Sequence, residues 1–314
     1  MTLLITLDAL QTLDAIERRQ SFAAAAEELH RVPSAVSYTI NKLEEDLGVE
    51  LFDRSRRKAE LTVIGRLVLE QGRHILKASE ELCALTRQVA DGWEVALRIC
   101  IESVLSGDVI YALIEEFQRI HPKTEIFLSE EVLSGSWDAL IDDRCDLVIG
   151  AEGAAPKSGF VLHPLGQVVF DFAVAAGHPL TQLPTPIATR SILSYPTVVV
   201  ADSSQHLPKR SSGLLDGRSR IYVPSIEHKI AAQCQGLGVG YLPRHRITQQ
   251  VAEGQLVVLP LDAARAPVKI SVAWQRSNTG KGLKWFVERL KQMQFDPLSG
   301  ELLQTLSHTS HAAE

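Results

Sequence analysis

From residue 62 to residue 90 the chain repeats apolar side chains in steps of four and three. They are Ile64, Val68, Ile75, Ala78, Leu82, Leu85 and Val89, with Gln71 the one polar member. This is a heptad seam, which a helix displays along one side. At about 1.5 Å per residue such a helix spans roughly 43 Å. A helix this long with an apolar stripe is poorly suited to standing alone in water. It predicts a helical partner, the same helix of a second copy; the alternative is a core helix of a single domain. Asp91-Gly92 ends the pattern. The seam therefore separates a small head from a larger body.

In the head, Leu7, Leu10, Leu13 and Ile16 recur every three residues and predict a helix over 7–19. Ser21 can cap a second helix over 22–29, whose run Ala23–Ala26 has high helix propensity and permits close approach of a neighbour. Pro33 suits the first position of a third helix, which Gly48 stops. Val36, Ile40, Leu43 and Leu47 form the apolar face of that helix. Ser34, Tyr38, Asn41 and Glu45 occupy the opposite face, with Ser37 and Lys42 on its flanks. Two short helices, a tight turn and a third helix with a polar outer face describe a helix-turn-helix. Residues 51–62 read as a two-stranded wing with Arg54, Arg56, Arg57 and Lys58 at its tip.

From residue 95 the rhythm becomes strand, helix, strand, as in an α/β body with a mostly parallel sheet. Residues 95–101, 125–128, 146–150, 168–176, 197–201, 239–242 and 269–274 read as strands. Residues 108–120, 137–144, 226–235, 244–253 and 283–292 read as helices. Residues 296–314 are polar and are expected to be a mobile tail.

Composition removes several classes. The 314 residues are 45% hydrophobic and 22% charged, which excludes wholesale disorder. No apolar run reaches the roughly 18 residues of a membrane span, and residues 3–7 are too short for a secretory signal. A cytoplasmic location is expected. Cys83, Cys100, Cys145 and Cys234 form no C-x-x-C pair and read as buried, reduced thiols, with a redox-sensing thiol as the alternative. No Cys/His spacing fits a metal, and no cofactor is expected. Gly236-Leu-Gly238-Val-Gly240 precedes a strand rather than following one, so it is not a dinucleotide loop but a helix end followed by close packing. Neither G-x-S-x-G nor H-E-x-x-H occurs, and no catalytic set is assigned. Net charge is −6, and even residues 1–92 hold 12 Lys/Arg against 15 Asp/Glu. A nucleic-acid footprint is local, so this balance does not exclude one.

The head carries a specific pattern. Ser21-Phe22-Ala23-Ala24-Ala25-Ala26, Leu29, Pro33-Ser34-Ala35-Val36-Ser37, Ile40, Leu43-Glu44, Leu47-Gly48, Leu51-Phe52, Arg54, Arg57, Leu61-Thr62 and Gly65 resemble the signature of LysR-type transcriptional regulators. The body resembles the family more loosely, through the long helix, DLVIG at 146–150, His178-Pro179-Leu180, the glycine segment and Gly254-Gln255-Leu256. RVPSAVSY at 31–38 and EVLSGSW at 131–137 resemble its YhaJ-like subgroup. The resemblance implies an α/β multidomain protein with a winged helix-turn-helix over 1–62 and a dimerising linker helix over 63–91. A two-lobed, periplasmic-binding-protein-like effector domain follows. Its first lobe comprises 92–165 and 267–295, and its second 166–266. Homotetramers are usual in the family. Val32 and Pro33 stand where many members have Ser/Thr and then Gln, and Tyr38 where many have Arg. The Gln base contact is therefore not carried over.

The residue chemistry converges on DNA. Asn41 can pair bidentately with adenine, and Tyr38 can pack on a thymine methyl. Ser34, Ser37 and Lys42 suit phosphate or base-edge contacts, and Arg54, Arg56, Arg57 and Lys58 suit backbone phosphates. Ligands of α/β lobes bind at strand C-termini and helix N-termini. That rule selects Ser103, Val104, Leu133, Ser134, Trp137, Glu152, Asp202, Ser203, Ser225, Ile226 and Tyr241 as effector-binding candidates. Capping or packing is the plainer role for each. The expected partners are double-stranded promoter DNA, a small-molecule effector that is aromatic or hydroxylated, further copies of the chain, and RNA polymerase, with no membrane. The competing readings are a ligand-binding α/β protein that uses its head only for assembly, and an enzyme with an appended regulatory head.

Overall fold

The computed structural model describes residues 4–53, 60–211, 215 and 217–305. The chain forms two compact units, Met1–Asp91 and Gly92–Glu314.

In the first unit, helices α1 (Leu7–Arg19), α2 (Phe22–Glu28) and α3 (Pro33–Leu47) pack around Leu13, Ile16, Ala25, Val36, Ile40 and Leu43. Their ends follow local chemistry. Thr6 and Ser21 accept hydrogen bonds from the N–H groups of Ala9 and Ala24, Pro33 opens α3, and Gly48 closes it at φ 68°. Strands β1 (Phe52–Asp53) and β2 (Glu60–Leu61) pair antiparallel as the base of a wing. The wing tip expected at Arg54, Arg56, Arg57 and Lys58 lies outside the described residues. Phe22 meets Phe52 edge to face at 5.1 Å and ties α2 to that base. Glu44 is buried on α3, and its carboxylate accepts from the N–H groups of Leu51 (2.7 Å) and Phe52 (3.2 Å). One charged side chain thus orients the wing from inside the core.

Helix α4 (Val63–Ala90) has two apolar faces. Gly65, Leu69 and Gly72 are buried, and Gly72 abuts Leu10 of α1. The seam Ile64, Ile75, Leu82 and Val89 is exposed in the single chain.

The second unit is built on a seven-stranded sheet in the order β14-β13-β6-β12-β5-β3-β4. Its strands are β3 (Ala96–Glu102), β4 (Glu125–Glu131), β5 (Leu147–Glu152), β6 (Phe160–Val168), β12 (Val268–Gln275), β13 (Met293–Phe295) and β14 (Leu302–Gln304). Alternation along β3 explains the layers. Leu97, Ile99 and Ile101 face the side of α5 (Tyr111–Ile120) and α9 (Lys281–Leu290), where Phe117 and Phe286 pack. Cys100 faces the other side, under α6 (Ser134–Ile141) and Trp137. A second lobe holds the three-stranded sheet β10-β7-β11 and the parallel pair β8-β9. These are β7 (Phe170–Ala175), β8 (Pro196–Val200), β9 (Ser219–Val223), β10 (Gly240–Pro243) and β11 (Leu256–Val258), with helices α7 (Ile226–Cys234) and α8 (Thr248–Ala252).

Four expectations are corrected. The large sheet is mixed rather than mostly parallel. β6 and β12, which lead into and out of the second lobe, run antiparallel to each other, and β12 also opposes β5. Residues 108–120 and 244–253 each begin with a 3-10 turn before the α-helix. Residues 302–304, placed in the expected tail, pair with β13, while residues 306–314 lie outside the described residues. Only Cys100 and Cys145 are buried. Cys83 is exposed on α4 and Cys234 is half-buried. No helix among the described residues is long and apolar enough to cross a membrane.

Gly65 sits where a methyl group would overlap the carbonyl oxygen of Leu51. Gly65→Ala is expected to lower stability by about 1–3 kcal/mol, outweighing the roughly 1 kcal/mol alanine gains in helix propensity. Hydrogen exchange should quicken in α1–α3 and stay unchanged around β3 and β5. Unaltered protection of α1–α3 would contradict this packing argument.

Candidate functional site

The polar face of α3 follows directly from its apolar one. Burying Val36, Ile40 and Leu43 turns Ser34, Tyr38, Asn41 and Lys42 outward. Tyr38 is 67% exposed, a large ring kept in water by the helix that presents it. Ser37 is half-buried on the flank. The Lys42 ammonium lies 3.7 Å from Asp46 one turn on, a loose pair that a phosphate can replace.

The second candidate site is a cavity between the lobes of the Gly92–Glu314 unit. Its empty space, including the part open to solvent, is about 600 Å³. Its walls come from the ends of β3, β5, β8 and β10, the loop before α6, and the first turn of α7. Of the effector candidates, Ser103, Val104, Leu133, Glu152, Ile226 and Tyr241 line it. Glu102, Phe170, Thr197, Lys229 and Arg265, which were not among the expected positions, line it too.

The other candidates lie around the cavity rather than in its wall. Trp137 is core, its indole N–H donating to the carbonyl of Glu152 at 3.0 Å. Ser225 caps α7 by accepting from the N–H of His228. Asp202, Ser203 and Ser134 form a clasp between lobes. The Asp202 carboxylate accepts from the N–H groups of Ser134 (3.2 Å), Ser204 (2.8 Å) and Arg210 (2.7 Å). Ser203 Oγ accepts from the Val132 N–H at 2.8 Å and donates to Glu131. Burial alone would raise the Asp202 carboxyl, but these N–H donors hold it below its ordinary value. Asp138 continues the clasp by accepting from the N–H groups of Gln205, His206 and Leu207. A second bridge comes from Arg246, which donates to the carbonyls of Ser103 (3.2 Å) and Leu105 and pairs with Glu227.

The wall combines apolar side chains with four ionisable ones, Glu102, Glu152, Lys229 and Arg265. Glu102 is fully buried. Burial and the nearby Glu152 push its carboxyl well above the ordinary value, against a hydrogen bond accepted from the Leu133 N–H at 2.9 Å. Burial also raises Glu152, opposed by Arg210 and Arg265. Among the described residues, Glu102 Oε2 and Glu152 Oε1 are buried without a hydrogen-bond partner. Lys229, 8% exposed, is pushed down to about 7 by burial and by the like charge of Arg265. The Arg265 guanidinium stacks 3.6 Å from the Phe170 ring centre and 5.4 Å from that of Tyr241. Leu133 holds φ 54° and ψ −115°, a strained backbone for a leucine, at the cavity edge. Such a wall can take a ligand that offers both hydrogen-bond donors and acceptors beside an aromatic face. Among the described residues no cluster of His, Cys, Asp and Glu is arranged to hold a metal ion.

Lys229 gives a signed test. In the unfolded chain the lysine keeps its proton to the ordinary value of 10.5, whereas in the folded chain it gives it up at about 7. Between these values the unfolded state binds more protons, so this group makes stability rise with pH across that window. Lys229→Met removes the penalty. The variant should exceed the native chain in urea midpoint near about pH 6, with the gap closing toward about pH 10. A gap independent of pH would contradict the buried, depressed lysine.

Comparison with known proteins covers nearly the whole chain. Residues 7–66 match the bacterial regulatory helix-turn-helix protein of the lysR family, and residues 90–294 match the LysR substrate binding domain. The chain is 36% identical to the HTH-type transcriptional regulator PunR of Escherichia coli K12, covering 90% of this chain and 91% of that one. It is also 36% identical to the probable HTH-type transcriptional regulator YhaJ of the same strain, covering 92% and 97%. Among solved structures, a Corynebacterium glutamicum OxyR C206 mutant superposes with a TM-score of 0.58 at 18% identity, covering 91% of this chain and 92% of that one. CbnR, a LysR family transcriptional regulator, superposes at 0.50 and 18% identity, covering 91% and 100%. These two likenesses support the fold seen here. The chain thus belongs to the LysR family, as a DNA-binding transcriptional regulator with an N-terminal helix-turn-helix and a C-terminal effector-binding domain.

Proposed function

We propose that this regulator reads promoter DNA through Ser34, Ser37, Tyr38, Asn41 and Lys42 on α3. Arg54, Arg56, Arg57 and Lys58 supply phosphate contacts from the wing. The observation that carries this reading is a helix whose exposed face is hydrogen-bonding and aromatic while its other face is fully buried. An assembly surface would be apolar there, which disfavours a head used only for assembly.

Dimerisation falls to the seam of α4. Ile75 at 48%, Leu82 at 65% and Val89 at 57% exposure form a stripe that a second copy of the same helix would cover. A pair of such dimers makes the tetramer and presents two heads to two half-sites. The proposed working parts are the head over 1–62, the linker helix over 63–91, one lobe from 92–165 with 267–295, and the other from 166–266.

The effector occupies the cavity lined by Glu102, Ser103, Leu133, Glu152, Lys229, Tyr241 and Arg265. Its support is the pair of buried, unpartnered carboxyl oxygens, which a bound molecule would satisfy. Binding favours one closure of the lobes over another and thereby biases the spacing of the heads. RNA polymerase is the partner such a promoter-bound assembly meets in the cytoplasm.

Asn41→Ala is expected to lose about 1–3 kcal/mol of discrimination between operator and competitor DNA. Its oligomeric state in sedimentation should be unchanged. Arg56→Ala should weaken binding to all sequences alike and lower the salt slope by about 1. An Asn41→Ala protein that dissociates yet binds DNA normally would overturn the assignment.

A further inference from the structure

Lys229 projects from α7 into the cavity wall, beside Ile226, Val198, Val200 and Gly240. A methyl group on Gly240 would sit 3.3 Å from its Nζ, so this glycine leaves the amine its room. Burial and a like charge act on the Lys229 amine, with no hydrogen bond to it among the described residues. The charged group near it is the guanidinium of Arg265, which repels a second positive charge. Glu102 and Glu152 line the same cavity, each with one buried oxygen unpartnered. A desolvated lysine next to another cation is an activated nucleophile, and a carboxylic acid kept protonated by burial is a proton donor. Neither arrangement helps the fold, because an unpaired buried polar group costs stability.

We propose that Lys229 captures a small aldehyde or ketone as an imine, so that the effectors of this regulator belong to the reactive carbonyl compounds. This rests on the reading of the cavity as the effector site. The Nζ lone pair attacks the carbonyl carbon, and the C=O π electrons move to oxygen. A proton passes from nitrogen to that oxygen and gives a neutral carbinolamine. A second proton, from the carboxyl of Glu102 or Glu152, takes the hydroxyl away as water while nitrogen forms the C=N bond. The carboxylate then recovers its proton from the iminium. Amine and carbonyl become imine and water, with no change of oxidation state. With the amine held near about 7, half of it is free base at neutral pH.

The test uses the full-length protein with propanal and cyanoborohydride at about pH 7, followed by peptide mass mapping. Propyl labelling of Lys229 is expected to be at least about tenfold faster than that of exposed Lys77. An ordinary lysine holds only about a thousandth or less of its amine free at that pH. Half-maximal labelling of Lys229 should fall near about pH 7. Lys229→Met should lose the fast site and keep the slow ones. Labelling of Lys229 no faster than that of Lys77, or none at all, overturns the proposal. DNA binding measured on the same preparation stands apart. If Lys229 fails to react while DNA is bound, the carbonyl assignment falls and the regulator reading survives.

Discussion

The effector half of this molecule depends on the antiparallel ladder between β6 and β12. Eight paired positions, from Val268 opposite Val168 to Gln275 opposite Phe160, bind the two strands that carry the chain between lobes. β6 passes to β7 through Val169 alone, and the return runs from β11 into β12. The lobes are therefore joined covalently at two neighbouring points, and side chains and loops also meet between them. The Asp202–Ser134 clasp and the Arg246–Ser103 bridge are such contacts, and both sit at the border of the cavity.

The cavity and the head illustrate opposite uses of burial. In the head, Glu44 is buried because its carboxylate satisfies two N–H groups of the wing base, and the charge helps to specify the fold. In the cavity, Glu102 and Glu152 are each buried with one oxygen unpartnered among the described residues, and Lys229 is buried beside the like charge of Arg265. Unsatisfied buried polar atoms cost stability, and a molecule that pairs with them removes that cost.

The head was the most legible part of the sequence. Val36, Ile40 and Leu43 at helical spacing fixed which face of α3 is buried, and with it the exposure of Tyr38 and Asn41. Pro33, Gly48 and Ser21 marked helix ends by local chemistry alone. Glu44 was not read as buried, since an acidic residue beside Glu45 looks like ordinary surface. Its partners, Leu51 and Phe52, are set by the turn that follows. In the body, strand order was hidden because β6, β12 and β13 come together from distant stretches of chain. Position at strand ends found Ser103, Glu152 and Tyr241. It missed Lys229, whose burial follows from lying on the same helical face as Ile226 and Ile230. A charge inside an apolar helical stripe was the available signal. Arg265 lies in an irregular segment with no periodicity to place it.

The central claim is sequence-specific promoter recognition by a multimer that presents separated heads. Its most direct test is DNase footprinting of the full-length protein on DNA flanking its own gene, at stated salt, with a non-cognate fragment as competitor. The account predicts a long protected stretch containing two separated half-sites that survives the competitor. Protection that the competitor abolishes in proportion to its mass, with no half-site boundaries, would contradict it and leave only charge-driven association.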